Sequence, residues 1–367
     1  MKKIEITFII IIILCCLLFP IIRFHPNETV SQVENRNLAP KPAIIVEGNF
    51  NKNLFAELSP YIQDHFGGRN ILIDSANYIE YNILHNRRFN EKALEGKNGW
   101  FFYISPSDGA NFTDFQKKNL MNEEQIENLK NNIKDTVKWC DENEIKYLFL
   151  ICPNKHSVYS KNYPFSRPEG ITRADQISQI FSDVNVPFVY SRDYLISKKS
   201  ESKYPLYFET DTHWNPLGAF YSFEEILPKI QNQFPNIELP KIDYEINVSY
   251  SETAGDILPM LGIKKAKSTQ IYLSPKNADN TNYFEYIKNE GANGVKTLGK
   301  NQNLPKAIIF RDSFTSALEQ YLSPLFSEAE YNWRQFRESD KEYILQNKPD
   351  IIIFEAVERY SASIVAK

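Results

Sequence analysis

The chain has 367 residues, 42% hydrophobic and 24% charged, a balance that fills a sizeable core and excludes disorder of the whole chain. A formal charge of -4, with no long basic stripe interleaved with aromatics, excludes the electrostatic footprint of a nucleic-acid binder. Among four cysteines and five histidines there is no C-x-x-C, no H-E-x-x-H and no paired Cys/His cluster, so no metal site is expected.

The N-terminus reads Met1-Lys2-Lys3, followed by an uncharged run from Ile6 to Ile22 and then Arg23. That run approaches the roughly 20 apolar residues a helix needs to cross a bilayer, and the two lysines favour a cytoplasmic start. Residues 1–23 are therefore expected to be a cytoplasmic start and one uncleaved transmembrane helix. A cleavable signal peptide is the competitor, but Phe19-Pro20-Ile21-Ile22-Arg23 offers no small-x-small cleavage site. Residues 24–60 read as a stalk, polar and proline-bearing (Pro26, Pro40, Pro42), and 61–367 as the catalytic domain.

Within that domain, Tyr61 to Asn82 shows helical spacing with a break at Gly67-Gly68, predicting two pieces. Gly96-Lys97-Asn98-Gly99 reads as a turn feeding a buried strand, Trp100 to Tyr103. Asn122 to Asn143 is a capped amphipathic helix, and Tyr147 to Cys152 a continuous apolar run of the kind buried on both faces of a parallel sheet. A second helix and strand follow, Arg173 to Ser182 and Val186 to Tyr190, and then a helix within Trp214 to Phe234. Residues 239–303, rich in Asn, Lys, Ser and Tyr, read as an insertion of short strands or loops. Ala307 to Phe310 runs into Arg311-Asp312-Ser313-Phe314 and a helical stretch, Thr315 to Leu322; Ile351 to Phe354 leads to Glu355. The alternation predicts an α/β fold with a mostly parallel sheet. Cys140 and Cys152 read as two buried thiols rather than a disulfide.

Ser313 stands where an apolar strand meets a helix, the end of a parallel sheet at which ligands bind. Its backbone N–H, near a helix N-terminus, suits an oxyanion. The plainer role for Asp312 or Ser313 is to cap that helix. A serine needs a base, and the base needs an acceptor to fix its tautomer. His213 with Asp211, in Glu209-Thr210-Asp211-Thr212-His213-Trp214, meets both needs, and Trp214 is placed to wall the site against water. Taken singly, Asp-x-His is frequent by chance, and a lone His213 is more often a hydrogen-bonded structural histidine. The competing base, His156, has no carboxylate in the next several residues. Glu355 and Glu358 suggest a glycosidase pair, but beside this triad they read as support for the site.

The order of the blocks LFLICPNK, DTHW, IIFRDSF and KPDIIIFEAVER resembles that of SGNH (GDSL-type) hydrolases in rotated form. It is similar to the circularly permuted enzymes of the alginate and cell-wall polysaccharide O-acetyltransferase type, the DHHW family. ENRNLAPKP, GKNGWFFY, CPNK, DTHWNPLGAF, TAGDILPML, RDSF and EAVER extend the likeness over nearly the whole chain. The resemblance implies an SGNH-like three-layer sandwich and a triad of Ser313, His213 and Asp211. Arg311 stands where GDS has glycine, and EAVER where ordinary SGNH hydrolases place an oxyanion-hole asparagine. Asn154, Lys155, Arg359 and Tyr360, in segments reaching the same sheet edge, are candidate substrate or oxyanion contacts with Trp214 and Arg311. Surface charge or a Glu358-Arg359 ion pair is the plainer role for that group.

The expected function is acetyl transfer onto a hydroxyl of an extracytoplasmic polysaccharide through an acetyl-Ser313 intermediate, without a dissociable cofactor. The resemblance implies a membrane-bound O-acyltransferase as acetyl supplier, and the N-terminal helix would tether the domain to the bilayer as a single-pass cell-membrane protein. With water as acceptor the same triad is a polysaccharide acetyl esterase. A glycan-binding or assembly protein with a relict site is the third reading.

Overall fold

Strict alternation in the central strands of this computed structural model creates its layers. Residues 28–31, 36–46, 48–66, 68–84, 92–105, 111–276, 283–289 and 294–366 are described. The apolar run 6–22 lies outside them, and among the described residues no helix is long and apolar enough to cross a membrane.

The chain divides into two units, Met1–Arg87 with Leu258–Lys264, and Arg88–Ile257 with Lys265–Lys367. In the first, the stretch expected as a stalk contains two short antiparallel pairs, Val30–Ser31 with Arg36–Asn37 and Ile45–Val46 with Asn49–Phe50. The helix Leu54–His65 also begins inside it. The cause is Asn51, whose amide donates to Ala43 O (2.9 Å) and Glu57 Oε2 (3.0 Å) while its Oδ1 accepts from Asn53 N, closing the loop into the helix. A second helix, Arg69–Tyr78, starts just past Gly68, as the glycine pair predicts.

In the second unit a seven-stranded sheet is built from β1 (Lys146–Cys152), β2 (Phe188–Tyr190), β3 (Phe284–Asn289), β4 (Val295–Gly299), β5 (Lys306–Phe310), β6 (Glu328–Asn332) and β7 (Ile351–Val357). Its spatial order is β3-β4-β6-β5-β7-β1-β2. The five from β6 to β2 run parallel, and β4 and β3 add antiparallel at one edge. Counted from β5, the parallel strands lie in the order 2-1-3-4-5, so the chain enters this doubly wound sheet at its fourth strand. Strand order reverses at β5, which opens a crevice beyond its carboxyl end.

Successive side chains of a strand face opposite ways. Leu148, Leu150, Ala307, Ile309, Ile351 and Ile353 share one core with Leu217, Ile226 and Ile230 of the helix Pro216–Gln233. Phe149, Ile151, Ile308, Phe310, Ile352 and Phe354 share the other with Ile133 of the helix Glu123–Glu142 and Ile177 and Phe181 of the helix Arg173–Val184. Helix, sheet and helix form three layers.

Within 239–303, β3 and β4 are short strands as expected and join the sheet, but the preceding part departs from short strands or loops. Tyr244–Thr253 and Ala266–Pro275 are ten-residue strands paired along their whole length. A two-stranded ribbon leaves most side chains of Tyr244–Thr253 in solvent, which accounts for a polar composition that reads as loop.

Candidate active site

β5 ends at Phe310, and a five-residue 3-10 helix, Ser313–Ala317, replaces the expected α-helical start. The turn between them is held by two carboxylates. Asp312 Oδ1 accepts Phe314 N (2.9 Å) and its Oδ2 accepts Val357 N (2.7 Å), tying the end of β5 to the end of β7. Glu355, wholly buried, accepts Asp312 N and Thr315 Oγ1 through Oε2, both at 2.8 Å. Burial, together with the Asp312 charge, pushes its carboxyl up to about 8. The capping role expected at this turn falls to Asp312, leaving the Ser313 hydroxyl to face elsewhere.

The opposing loop is closed by the bridge between Tyr207 and Trp214. Asn215 Oδ1 accepts Leu217 N and Gly218 N, starting the next helix. A Cβ at Gly218 would stand 2.1 Å from Leu206 O, so only glycine lets that helix approach the loop. Asp211 Oδ1 accepts the backbone N of His213 (3.0 Å) and lies 2.7 Å from its Nδ1. His213 Nε2 is 2.7 Å from Ser313 Oγ, across 100 residues of sequence. With Nδ1–H donating to the Asp211 carboxylate, Nε2 is the acceptor for the serine proton. Burial pushes the imidazole pKa down, but the hydrogen bond and charge of Asp211, with the Asp256 charge, outweigh it and leave it above the ordinary 6.5; Arg359 opposes them. Burial likewise pushes Asp211 up, and its bonds to His213 outweigh that, so it sits below the usual carboxylate range.

Asp256 comes from the insertion and was not singled out as a site residue, although the TAGDILPML block contains it. Its Oδ1 accepts Thr212 N (2.7 Å), its Oδ2 accepts the Thr212 hydroxyl, and Oδ2 lies 3.7 Å from His213 Nδ1. Its own N donates to Asp211 Oδ2 (3.1 Å). Gly255 makes this approach possible: its φ is +57°, and a Cβ there would stand 2.2 Å from Thr210 O. Among the described residues, Asp211, His213 and Asp256 are the one group whose ligand-type atoms lie together, within 4.8 Å, but those atoms are engaged with one another and with Thr212.

Residues 93–332 match the family described as the SGNH hydrolase-like domain of the acetyltransferase AlgX. The chain belongs to this family. Among solved structures it is similar to Bacillus cereus PatB1, with a TM-score of 0.52 and 17% identity over 74% of this chain and 97% of that one. It is also similar to the O-acetyltransferase domain of Pseudomonas putida AlgJ (0.49, 15%, 74% and 93%) and to a DHHW family protein from Eubacterium siraeum (0.49, 16%, 75% and 93%). No curated protein sequence matches.

In this AlgX-type domain the other expected contacts fall into two groups. Lys155, Trp214 and Arg311, expected at the substrate, are bonded to the fold. Lys155 Nζ donates to Phe208 O (2.8 Å), Glu209 O (3.0 Å) and Asp211 O (2.8 Å), bracing the His213 loop. Trp214 Nε1 donates to Phe314 O (3.0 Å), bracing the Ser313 turn from within the core. Arg311 is buried against Glu319 (2.7 Å) and over the Trp333 ring. Asn154 and Arg359 pair with each other: Arg359 donates to Asn154 Oδ1 (3.2 Å), and both line a cavity of about 10 Å3 with Lys155 and Thr212. Tyr360 is partly buried beside Arg359.

His156 is no rival base. It is buried, its ring nitrogens meet Asn111 O and Ser157 Oγ, and burial pushes it down to about 3. Glu358 binds Asn154 N and Ser157 Oγ, so neither Glu355 nor Glu358 is free for glycosidase chemistry. Cys140 and Cys152 are free and buried.

Proposed function

We propose that this protein transfers an acetyl group to a polysaccharide hydroxyl through an acetyl-Ser313 intermediate. The observation that carries the reading is the unbroken line from Asp211 Oδ1 through His213 to Ser313 Oγ at the carboxyl end of β5, both links 2.7 Å long. Membership of an SGNH hydrolase-like acetyltransferase family supports acyl transfer as the chemistry.

Ser313 Oγ attacks the acetyl carbonyl carbon as its proton passes to His213 Nε2, and the imidazolium returns that proton to the leaving group. The sugar hydroxyl then gives its proton to His213 and attacks the acetyl-serine, and His213 reprotonates Ser313 Oγ as the acetylated sugar leaves. Asp211 stabilises the imidazolium in both halves. Ser313 opens its helix, so its backbone N–H has no intrahelical partner and suits the oxyanion.

The domain's place outside the cytoplasm, the tether to a bilayer by residues 1–23 and a membrane-bound O-acyltransferase as acetyl supplier complete the proposal. The first two rest on the apolar run after Lys2-Lys3, and the third on the resemblance. Esterase activity is the second reading, favoured by one observation: the His213 side chain is 28% exposed, leaving it open to water. Purified protein given an acetyl ester with and without oligosaccharides tests both. Acetylated sugar formed by wild type and lost in Ser313→Ala is expected; hydrolysis untouched by every acceptor establishes the esterase instead. Acetylated sugar from Ser313→Ala refutes the triad.

A further inference from the structure

We propose that Asp256 is a positioning residue for His213, a second carboxylate that shares the imidazolium with Asp211 and takes it over when Asp211 is removed. This rests on the triad reading above.

Four observations converge on it. Asp256 Oδ2 stands 3.7 Å from the same ring nitrogen that Asp211 Oδ1 meets at 2.7 Å. Thr212, between the two triad residues in sequence, gives both its backbone N and its hydroxyl to Asp256, fixing the carboxylate against the loop. The Asp256 backbone N binds the other oxygen of Asp211, so the two acids move as one unit. Gly255 lies in the left-handed region with Thr210 O against its α-carbon, and Ile257 N donates to that same oxygen at 3.3 Å, so the backbone on both sides of Asp256 is held to the His213 loop. The long ribbon thus inserts a carboxylate beside the imidazole. It is fastened there from a second side, since Glu209 accepts Ser268 Oγ, Thr269 N and Thr269 Oγ1.

The charged groups around the ring come from four elements: Asp211 on its own loop, Asp256 from the ribbon, Arg359 from the 3-10 helix Glu358–Ser363, and Lys155 beneath the loop. Two anions and one cation act on His213 directly, and Lys155 acts on Asp211 and Asp256. Burial and the neighbouring Asp211 charge push Asp256 above the usual carboxylate range, as two close acids require. An imidazolium formed during the reaction relieves that repulsion, so Asp256 favours the charged base when charge develops.

The test is the pH dependence of kcat/KM for acetyl-ester turnover in Asp256→Asn, Thr212→Val, Asp211→Ala and Asp211→Ala/Asp256→Asn. Asp256→Asn keeps an oxygen for Thr212 N and removes the charge; kcat/KM is expected to fall about tenfold and the acidic limb to move to lower pH. Thr212→Val removes a hydroxyl that binds Oδ2 and itself stands 3.3 Å from His213 Nδ1, leaving Nδ1 to the two carboxylates, and is expected to move the limb the other way; a packing role does not produce this pair of opposite shifts. In the Asp211→Ala background, Asp256→Asn is expected to cost about tenfold more than in wild type, because the acids back each other up. His213 titrated by NMR in Ser313→Ala gives the same shifts without turnover and replaces any variant too unstable to assay. Limbs and NMR titrations unmoved by both single variants, or strictly additive losses, overturn the proposal. If Ser313→Ala still turns over ester, the triad reading itself falls; if it is dead and the shifts are absent, only the role of Asp256 falls.

Discussion

Replacing Trp214 by Phe separates a residue that walls the substrate from one that braces the nucleophile. The indole is 1% exposed, packs edge-on against Phe314 at 5.4 Å and donates to Phe314 O at 3.0 Å. Phe keeps the ring contact and removes this buried hydrogen bond, at a cost of about 0.5–1.5 kcal/mol. The lost volume, about 40 Å3, adds roughly 1 kcal/mol at about 24 cal/mol per Å3. A loss of about 1.5–2.5 kcal/mol is therefore expected in urea denaturation, with the slope unchanged. Because Phe314 follows the nucleophile, slackening its carbonyl misplaces Ser313 relative to His213 Nε2. Single-turnover acetylation of Ser313 is expected to slow about tenfold while KM for the ester holds, since a misaligned nucleophile costs the chemical step and not binding. A stability loss below about 0.5 kcal/mol together with a raised KM refutes this reasoning and returns Trp214 to the substrate wall.

For wild type, kcat/KM is expected to rise with pH through a pKa above 6.5, because a protonated His213 cannot take the serine proton and its anionic neighbours outweigh burial. A limb at or below that value in a pH-rate profile contradicts the arrangement. Glu355 offers a stability measurement. Its folded pKa of about 8 is raised from 4.5, so its contribution is fully present below 4.5 and is lost as pH climbs toward 8, by up to about 1.4 kcal/mol per pH unit. Glu355→Gln keeps an oxygen acceptor for Asp312 N and Thr315 Oγ1 and is expected to flatten that decline in denaturation at pH 5 and pH 8; an unchanged slope shows that the carboxyl is already ionised.

Much of the fold was legible because its signals are local. The cap of Glu123–Glu142 lies within three residues of chain, with Asn122 and Gln125 exchanging hydrogen bonds. The apolar runs of β1, β5 and β7 announce strands covered on both faces. Asp211 and His213 are two residues apart and make their bond within one loop, so the pair was visible as a motif. Ser313 was visible only as a serine at a strand end; the rotated order of blocks pointed to its partner.

What the tertiary structure alone decided is which of the remaining polar residues face the reaction. Lys155 looks the same in sequence whether it meets a substrate or three carbonyls, and those carbonyls lie 53, 54 and 56 residues away. Arg311 likewise becomes internal only because Glu319 and Trp333 enclose it. Asp256 sits in a polar stretch that reads as loop, and only the pairing of two long strands, with a glycine in the left-handed region, brings it to His213. Periodicity and capping are written over a few residues, because a turn of helix or a strand face spans no more. The charge environment of a base is written by segments that meet only when the sheet order is set, so the sequence by itself determined the strands and the Asp-x-His motif, and the fold decided the company that His213 keeps.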